Sequence, residues 1–164
     1  MNKIMTVISE GINPEDRKKI EEILRSTKFF YEFEINTALE IADETLSKGM
    51  EKSGYFWLKA ADETGLVAFA NYGKNDFSTH SWELYWIAVH DSARHKKLGS
   101  AMLKAVEDNV IKSGGKILWI ETSGRPLYAS TEGFYKRNGY ELAASLKDFY
   151  GPGDPKQVYV KVLK

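Results

Sequence analysis

Cysteine is absent from the chain. That excludes disulfides, thiolate metal sites and a cysteine nucleophile, and it suits a reducing compartment. Histidine is scarce. His80, His90 and His95 are the only three, their spacing matches no ligand pattern, and no metal is expected. An excess of one charge is also missing: Lys+Arg and Asp+Glu both number 23, for a formal net charge of zero. A general nucleic-acid binder carries a basic excess, so nucleic acid is not an expected partner. No apolar run approaches the ~18 residues of a membrane-spanning helix. The N-terminal MNKIMTVISEG lacks the apolar core of a signal peptide, so the expectation is a cytoplasmic protein with no membrane partner. No repeat, low-complexity tract or interdomain linker interrupts the 164 residues, and residues 1–164 read as a single domain with a real core.

What is present has a clear order. Residues 4–8 read as a first strand. Asn13-Pro14-Glu15-Asp16 reads as a helix start, with Asn as cap and Pro in the first turn. Ile20, Ile23 and Leu24 give that helix an apolar stripe, and Ile35, Leu39, Ala42 and Leu46 give a second one, ending near residues 47–50. Residues 55–60 and 66–72 flank Asp62-Glu63-Thr64-Gly65 as a β-hairpin, and residues 82–89 form a further strand. A helix with Leu98, Met102, Ala105, Val106 and Val110 on one side leads to a strand at 116–122, which predicts a parallel βαβ unit. A short helix over about 131–137 stops at Asn138-Gly139, and two strands surround Gly151-Pro152-Gly153-Asp154-Pro155.

The stretch HDSARHKKLGSAML, His90 to Leu103, places Arg94, His95, Lys96 and Lys97 between a strand and a helix. A helix N-terminus offers unpaired N–H groups and the positive end of its dipole, and Gly99 permits close backbone approach. The stretch therefore reads either as a solvated basic turn or as a seat for a phosphate or pyrophosphate. It is neither a Walker loop nor a GxGxxG fingerprint.

From Trp82 to Tyr140 the chain resembles the GNAT superfamily of N-acetyltransferases, which use acetyl-coenzyme A. The family's Q/R-x-x-G-x-G/A pyrophosphate motif falls on Arg94-His95-Lys96-Lys97-Leu98-Gly99, with Lys97 where the family keeps a glycine. Downstream, Gly133-Phe134-Tyr135-Lys136-Arg137-Asn138-Gly139-Tyr140 resembles its FYxxxGF/Y segment. The resemblance implies a single-domain α/β fold: a mixed, mostly antiparallel sheet of about seven strands, about four helices and one splayed parallel strand pair. It implies acetyl-coenzyme A as cosubstrate, held along Ile87, Ala88 and Val89, at Arg94 through Ser100 (Arg94, His95, Lys96, Lys97, Leu98, Gly99, Ser100), and at Thr131, where many members carry an asparagine nearby. At Lys97, a left-handed backbone would cost lysine about 1 kcal/mol relative to glycine, against an added cation beside the diphosphate.

Acetyl transfer to an amine needs a proton acceptor, an oxyanion donor and a proton for the departing thiolate. By the resemblance, Glu83 is the candidate base. Strand alternation puts Tyr85, Ile87 and Val89 on its face and Trp82, Leu84 and Trp86 on the other. Tyr135 is the candidate acid, and a backbone amide near Ile87 to Val89 is the candidate oxyanion donor. The expected acceptor is a primary amine on a small molecule or peptide, reacting in a ternary complex, in a monomer or homodimer. The alternative is a non-catalytic acyl-coenzyme A sensor or interaction module on the same fold.

Overall fold

The computed structural model describes residues 6–164. Residues 4 and 5 of the expected first strand at 4–8 fall outside them, and the strand that is described is β1 (Val7–Glu10). There follow α1 (Asp16–Thr27), α2 (Glu32–Lys48), α3 (Met50–Ser53), β2 (Phe56–Asp62), β3 (Gly65–Lys74), β4 (Ser81–Val89), α4 (Leu98–Lys112), β5 (Ile117–Ser123), α5 (Ala129–Arg137), β6 (Glu141–Gly151) and β7 (Asp154–Val162). The seven strands lie in the order β1-β2-β3-β4-β5-β7-β6. β4 and β5 pair in parallel, while β1–β2, β2–β3, β5–β7 and β6–β7 pair antiparallel. This is the expected mixed α/β class, with five helices among the described residues instead of four. The extra one, α3, is a single turn bounded by Gly49 (φ 82°) and Gly54 (φ 75°), too short to show a periodic stripe.

Two compact units divide the chain. The first comprises the residues up to Gly73 together with Trp86–Val106, and the second comprises Lys74–Tyr85 together with Glu107–Lys164. In the first, the stripes read from the sequence become one core. Ile20, Ile23 and Leu24 of α1 and Ile35, Ala38, Leu39 and Ala42 of α2 pack with Trp57, Leu66, Phe69 and Ala88. The fully buried Trp57 donates its indole N–H to Thr45 Oγ1 at 2.9 Å, so its one polar atom is satisfied. α1 starts two residues later than Pro14 suggests. Asn13 acts in the preceding turn, its N–H donating to the Asp16 carboxylate at 2.7 Å.

In the second unit the register sorts residues by face. Glu83 pairs with Trp119, and Trp119 with Val160; Leu84 pairs with Ile120, and Ile120 with Tyr159. Paired residues share a face and neighbours along a strand do not. Glu83, Trp119 and Val160 therefore occupy one face, and Leu84, Ile120 and Tyr159 the other.

β4 carries one extra residue. Asn75 N–H donates to the Ser81 carbonyl at 3.0 Å, and His90 N–H to the Val67 carbonyl at 2.8 Å. Between these bonds β3 takes eight steps, residues 75 to 67, and β4 takes nine, residues 81 to 90. That is a β-bulge in β4. It corrects the simple alternation expected there. Trp82 lies beside Val110 of α4, both within 2.5 Å of where a Cβ on Gly115 would stand. Trp86 packs instead with the α1–α2 core, in a T-shaped contact with Phe30 at 5.2 Å.

Candidate active site

The candidate anion seat, residues 90–100, lies wholly in the first unit. His90 Nδ1 accepts the Ser92 N–H at 3.1 Å and opens a short 3₁₀ turn, Asp91–Ala93, whose Ala93 is buried. Asp91 N–H donates to Ser26 Oγ at 3.1 Å, which ties the turn to α1. Arg94 is held as well: its guanidinium lies 5.1 Å over the Phe29 ring and 3.7 Å from the Asp91 carboxylate. His95, Lys96 and Lys97 are exposed.

The backbone here is unusual for non-glycine residues. φ is 62° at His95 and 58° at Lys97, and it is not positive at Lys96 between them. Such an alternation of φ is what anion-binding nests use to turn successive N–H groups to a common side, and this turn is a candidate nest. The Lys97 carbonyl accepts the Ala101 N–H at 3.1 Å, the first bond of α4. The amides of Leu98, Gly99 and Ser100 therefore have no intrahelical acceptor. Helix-start N–H groups, four cationic or potentially cationic side chains and no carboxylate from Arg94 to Ser100 fit a diphosphate. Lys97 does stand at a left-handed position, and its lysine costs about 1 kcal/mol there.

Ile87, Ala88 and Val89 complete β4. Their own pairing with β5 is over: the parallel register runs from Ser81↔Ile117 to Leu84↔Ile120 and stops, while β4 continues to Val89 and β5 to Ser123. Ala88 is buried in the α1–α2 core, and Ile87 and Val89 are half-buried.

Glu83 is half-buried, and its Oε1 accepts from Asn75 Nδ2 at 3.2 Å. Nothing local in the sequence ties Asn75 to Glu83, eight positions on. Trp119, beside Glu83 across the parallel register, is fixed by its indole N–H on Ser81 Oγ at 3.3 Å.

Tyr135 is buried in an aromatic cluster. Its ring lies 5.3 Å from Phe134, 5.9 Å from Tyr140 and 5.6 Å from Tyr159. Burial first, then the neighbouring Tyr159 and Tyr128, pushes its phenol well above the usual tyrosine range, so it holds its proton. The ring rests on Tyr159, which is on the sheet face opposite Glu83.

The spacing of the FYxxxGY segment now has a physical cause. Gly139, at φ 87°, donates its N–H to the Lys136 carbonyl at 3.1 Å, and Tyr140 donates to the Tyr135 carbonyl at 3.0 Å. That is a Schellman helix stop, with its usual side-chain contact made by the Tyr135–Tyr140 ring pair. Thr131 lies in the first turn of α5, half-buried.

The seven-stranded mixed sheet with its parallel β4–β5 pair is the fold of known acetyltransferases. The model of the Acetyltransferase (GNAT) family matches residues 18–140. The chain belongs to that family and is an acyltransferase. It is similar to a GNAT-family chain from Desulfovibrio desulfuricans, an acetyltransferase by assignment, at 34% identity over 98% of this chain and 100% of that one, with TM-score 0.94. It also shares its fold with an aminoglycoside 6'-N-acetyltransferase complexed with coenzyme A (22% identity, 96% and 97% covered, TM-score 0.76). The ribosomal-protein-S18-alanine N-acetyltransferase of Escherichia coli shares the fold too (19% identity, 98% and 95% covered, TM-score 0.74). No curated protein matches. Among the described residues no helix is long and apolar enough to cross a membrane.

Proposed function

We propose that the chain transfers acetyl from acetyl-coenzyme A to a primary amine by direct attack in a ternary complex. The observation that carries this reading is the placement of Glu83 and Tyr135 on opposite faces of the sheet, beside the point where β4 and β5 stop pairing. An acyl transfer needs a proton taken from the nucleophile on one side of the reacting carbon and given to the leaving group on the other.

The nest and the amides of Leu98, Gly99 and Ser100 hold the pyrophosphate, and His95, Lys96 and Lys97 add positive charge. The unpaired end of β4 at Ile87, Ala88 and Val89 holds the pantetheine as an added strand would, and an amide there stabilises the developing oxyanion. Thr131 supplies a hydroxyl to the cosubstrate. The amine nitrogen bonds to the thioester carbon. The attacking amine is neutral and its nitrogen becomes cationic on bonding; Glu83 accepts that proton, directly or through water, as the C–S bond breaks, and then releases it to solvent. Tyr135 gives its proton to the thiolate and regains one from solvent. A phenol held above its usual pKa is a reluctant acid, so the step needs a basic thiolate close to its hydroxyl. The acceptor is a small molecule or a peptide amine, and the reaction is assigned to the cytoplasm.

A thiol-release assay with acetyl-coenzyme A across diamines, aminoglycosides, amino acids and N-terminal peptides tests this. Release that depends on one amine class and is saturable in it is the expected result. Tight coenzyme A binding with no amine-dependent release would make the chain an acyl-coenzyme A-binding module instead.

A further inference from the structure

The second unit contains a buried carboxylate that the proposed chemistry does not use. Glu107, on α4, is 5% exposed. Its Oε1 accepts from the Tyr140 hydroxyl at 3.0 Å and from Lys161 Nζ at 2.9 Å, and its Oε2 accepts from Lys161 Nζ at 3.0 Å. Lys161, on β7, also donates to the Asn138 carbonyl at 2.9 Å, the last carbonyl of the helix stop after α5. Its ammonium lies 5.4 Å from the centre of the Tyr140 ring. Three elements thus meet on one ion pair, and its two side chains also bond to the stop of α5, at Tyr140 and at the Asn138 carbonyl.

Stability alone is a poor reason for this arrangement. The neighbouring inward positions of α4 are Met102, Leu103, Val106 and Val110, all fully buried. Replacing a buried ion pair by apolar residues of similar size is often neutral or stabilising. What an ion pair adds is fixed geometry. Tyr140 has three tethers: its hydroxyl on Glu107, its N–H on the Tyr135 carbonyl, and its ring against the Tyr135 ring. Two of the three act on Tyr135 itself.

We propose that Glu107 is a positioning residue for Tyr135. With Lys161 it clamps Tyr140 and the helix stop, and so fixes the direction of the Tyr135 phenol. This rests on the reading of Tyr135 as the proton donor to the thiolate.

The test compares single-turnover acetyl transfer, KM for acetyl-coenzyme A and thermal midpoint in E107Q, in the apolar double variant E107L/K161M, in Y135F, and in the last combined with each of the others. In E107L/K161M we expect a thermal midpoint within a few degrees of the parent, KM within about twofold, and a rate about tenfold lower, as for a displaced catalytic group. In the Y135F background the same changes should cost no further rate. A stable E107L/K161M with an unchanged rate overturns the proposal. So does an equal tenfold loss in both backgrounds, which would place the effect elsewhere. If the double variant does not fold, E107Q alone and with Y135F decides by the same criteria. A Y135F enzyme with full activity overturns the proton-donor reading, and the positioning role falls with it; a slow Y135F with additive losses overturns the positioning role only.

Discussion

The anion seat and the surroundings of Tyr135 solve opposite problems with opposite means. The seat is exposed, cationic and made of backbone. His95 and Lys97 accept left-handed φ values of 62° and 58° without being glycine. The tyrosine site is enclosed, aromatic and made of side chains, and its left-handed position is a glycine, Gly139 at 87°. A diphosphate is recognised by N–H groups that every residue possesses, so side-chain identity there is adjustable. The proton donor proposed at Tyr135 is one atom on one side chain, and its role would require surroundings that hold that atom still. The seat should therefore tolerate substitution that the tyrosine site does not.

An effect as large as any within the two regions is expected outside both, at the proposed base. E83Q should lower kcat about 10²-fold while coenzyme A affinity, read by calorimetry, stays within about twofold. An unchanged rate would leave the amine to lose its proton to solvent.

The next effect is alkaline. Burial raises the pKa of Tyr135, and burial with the Glu107 carboxylate raises that of Tyr140. A group with a raised folded pKa contributes stability that is full below the unfolded value, near 10, and is lost as pH climbs towards the folded one. Between pH 9 and 11 the thermal midpoint should fall by about 5 °C, or roughly 1 kcal/mol per tyrosine. Both phenols should stay silent in tyrosinate absorbance until the protein unfolds.

The two left-handed positions should then respond with opposite signs. G139A should destabilise by about 1 kcal/mol: its Cβ would also stand 3.4 Å from Lys161 Cε. Misplacing the helix stop should reduce kcat as well. K97G should gain up to about 1 kcal/mol of stability by relieving strain, and weaken coenzyme A binding a few-fold at low salt, with the difference vanishing as salt screens the lost cation. If both glycine-related changes had the same sign in urea denaturation, the contrast between the regions would be wrong.

Much of this was readable from local sequence. The helices of the first unit follow from Ile20, Ile23 and Leu24 and from Ile35, Leu39 and Ala42, because an apolar stripe at helical spacing is a local property. The setting of Arg94 to Lys97 between a strand and a helix was legible, and so was the helix stop at Asn138-Gly139. The bulge in β4 was invisible, since one extra residue leaves no compositional trace and only the bonds of Ser81 and His90 to β3 reveal it. The Asn75 contact to Glu83 and the Glu107–Lys161–Tyr140 cluster were missed for a related reason. Glu107 and Lys161 are 54 residues apart, and a charged residue within a helix or strand reads from sequence as a solvated face.

The central claim is that binding belongs to the backbone of the seat and chemistry to the side chains at the end of the parallel pair. It is tested most directly on a single preparation of Y135F, by measuring the coenzyme A Kd in calorimetry and the acetyl-transfer rate in a single turnover. The account predicts a Kd within about twofold of the parent and a rate lower by about 10²-fold. A rate that is unchanged, or that falls only in step with lost affinity, would contradict it.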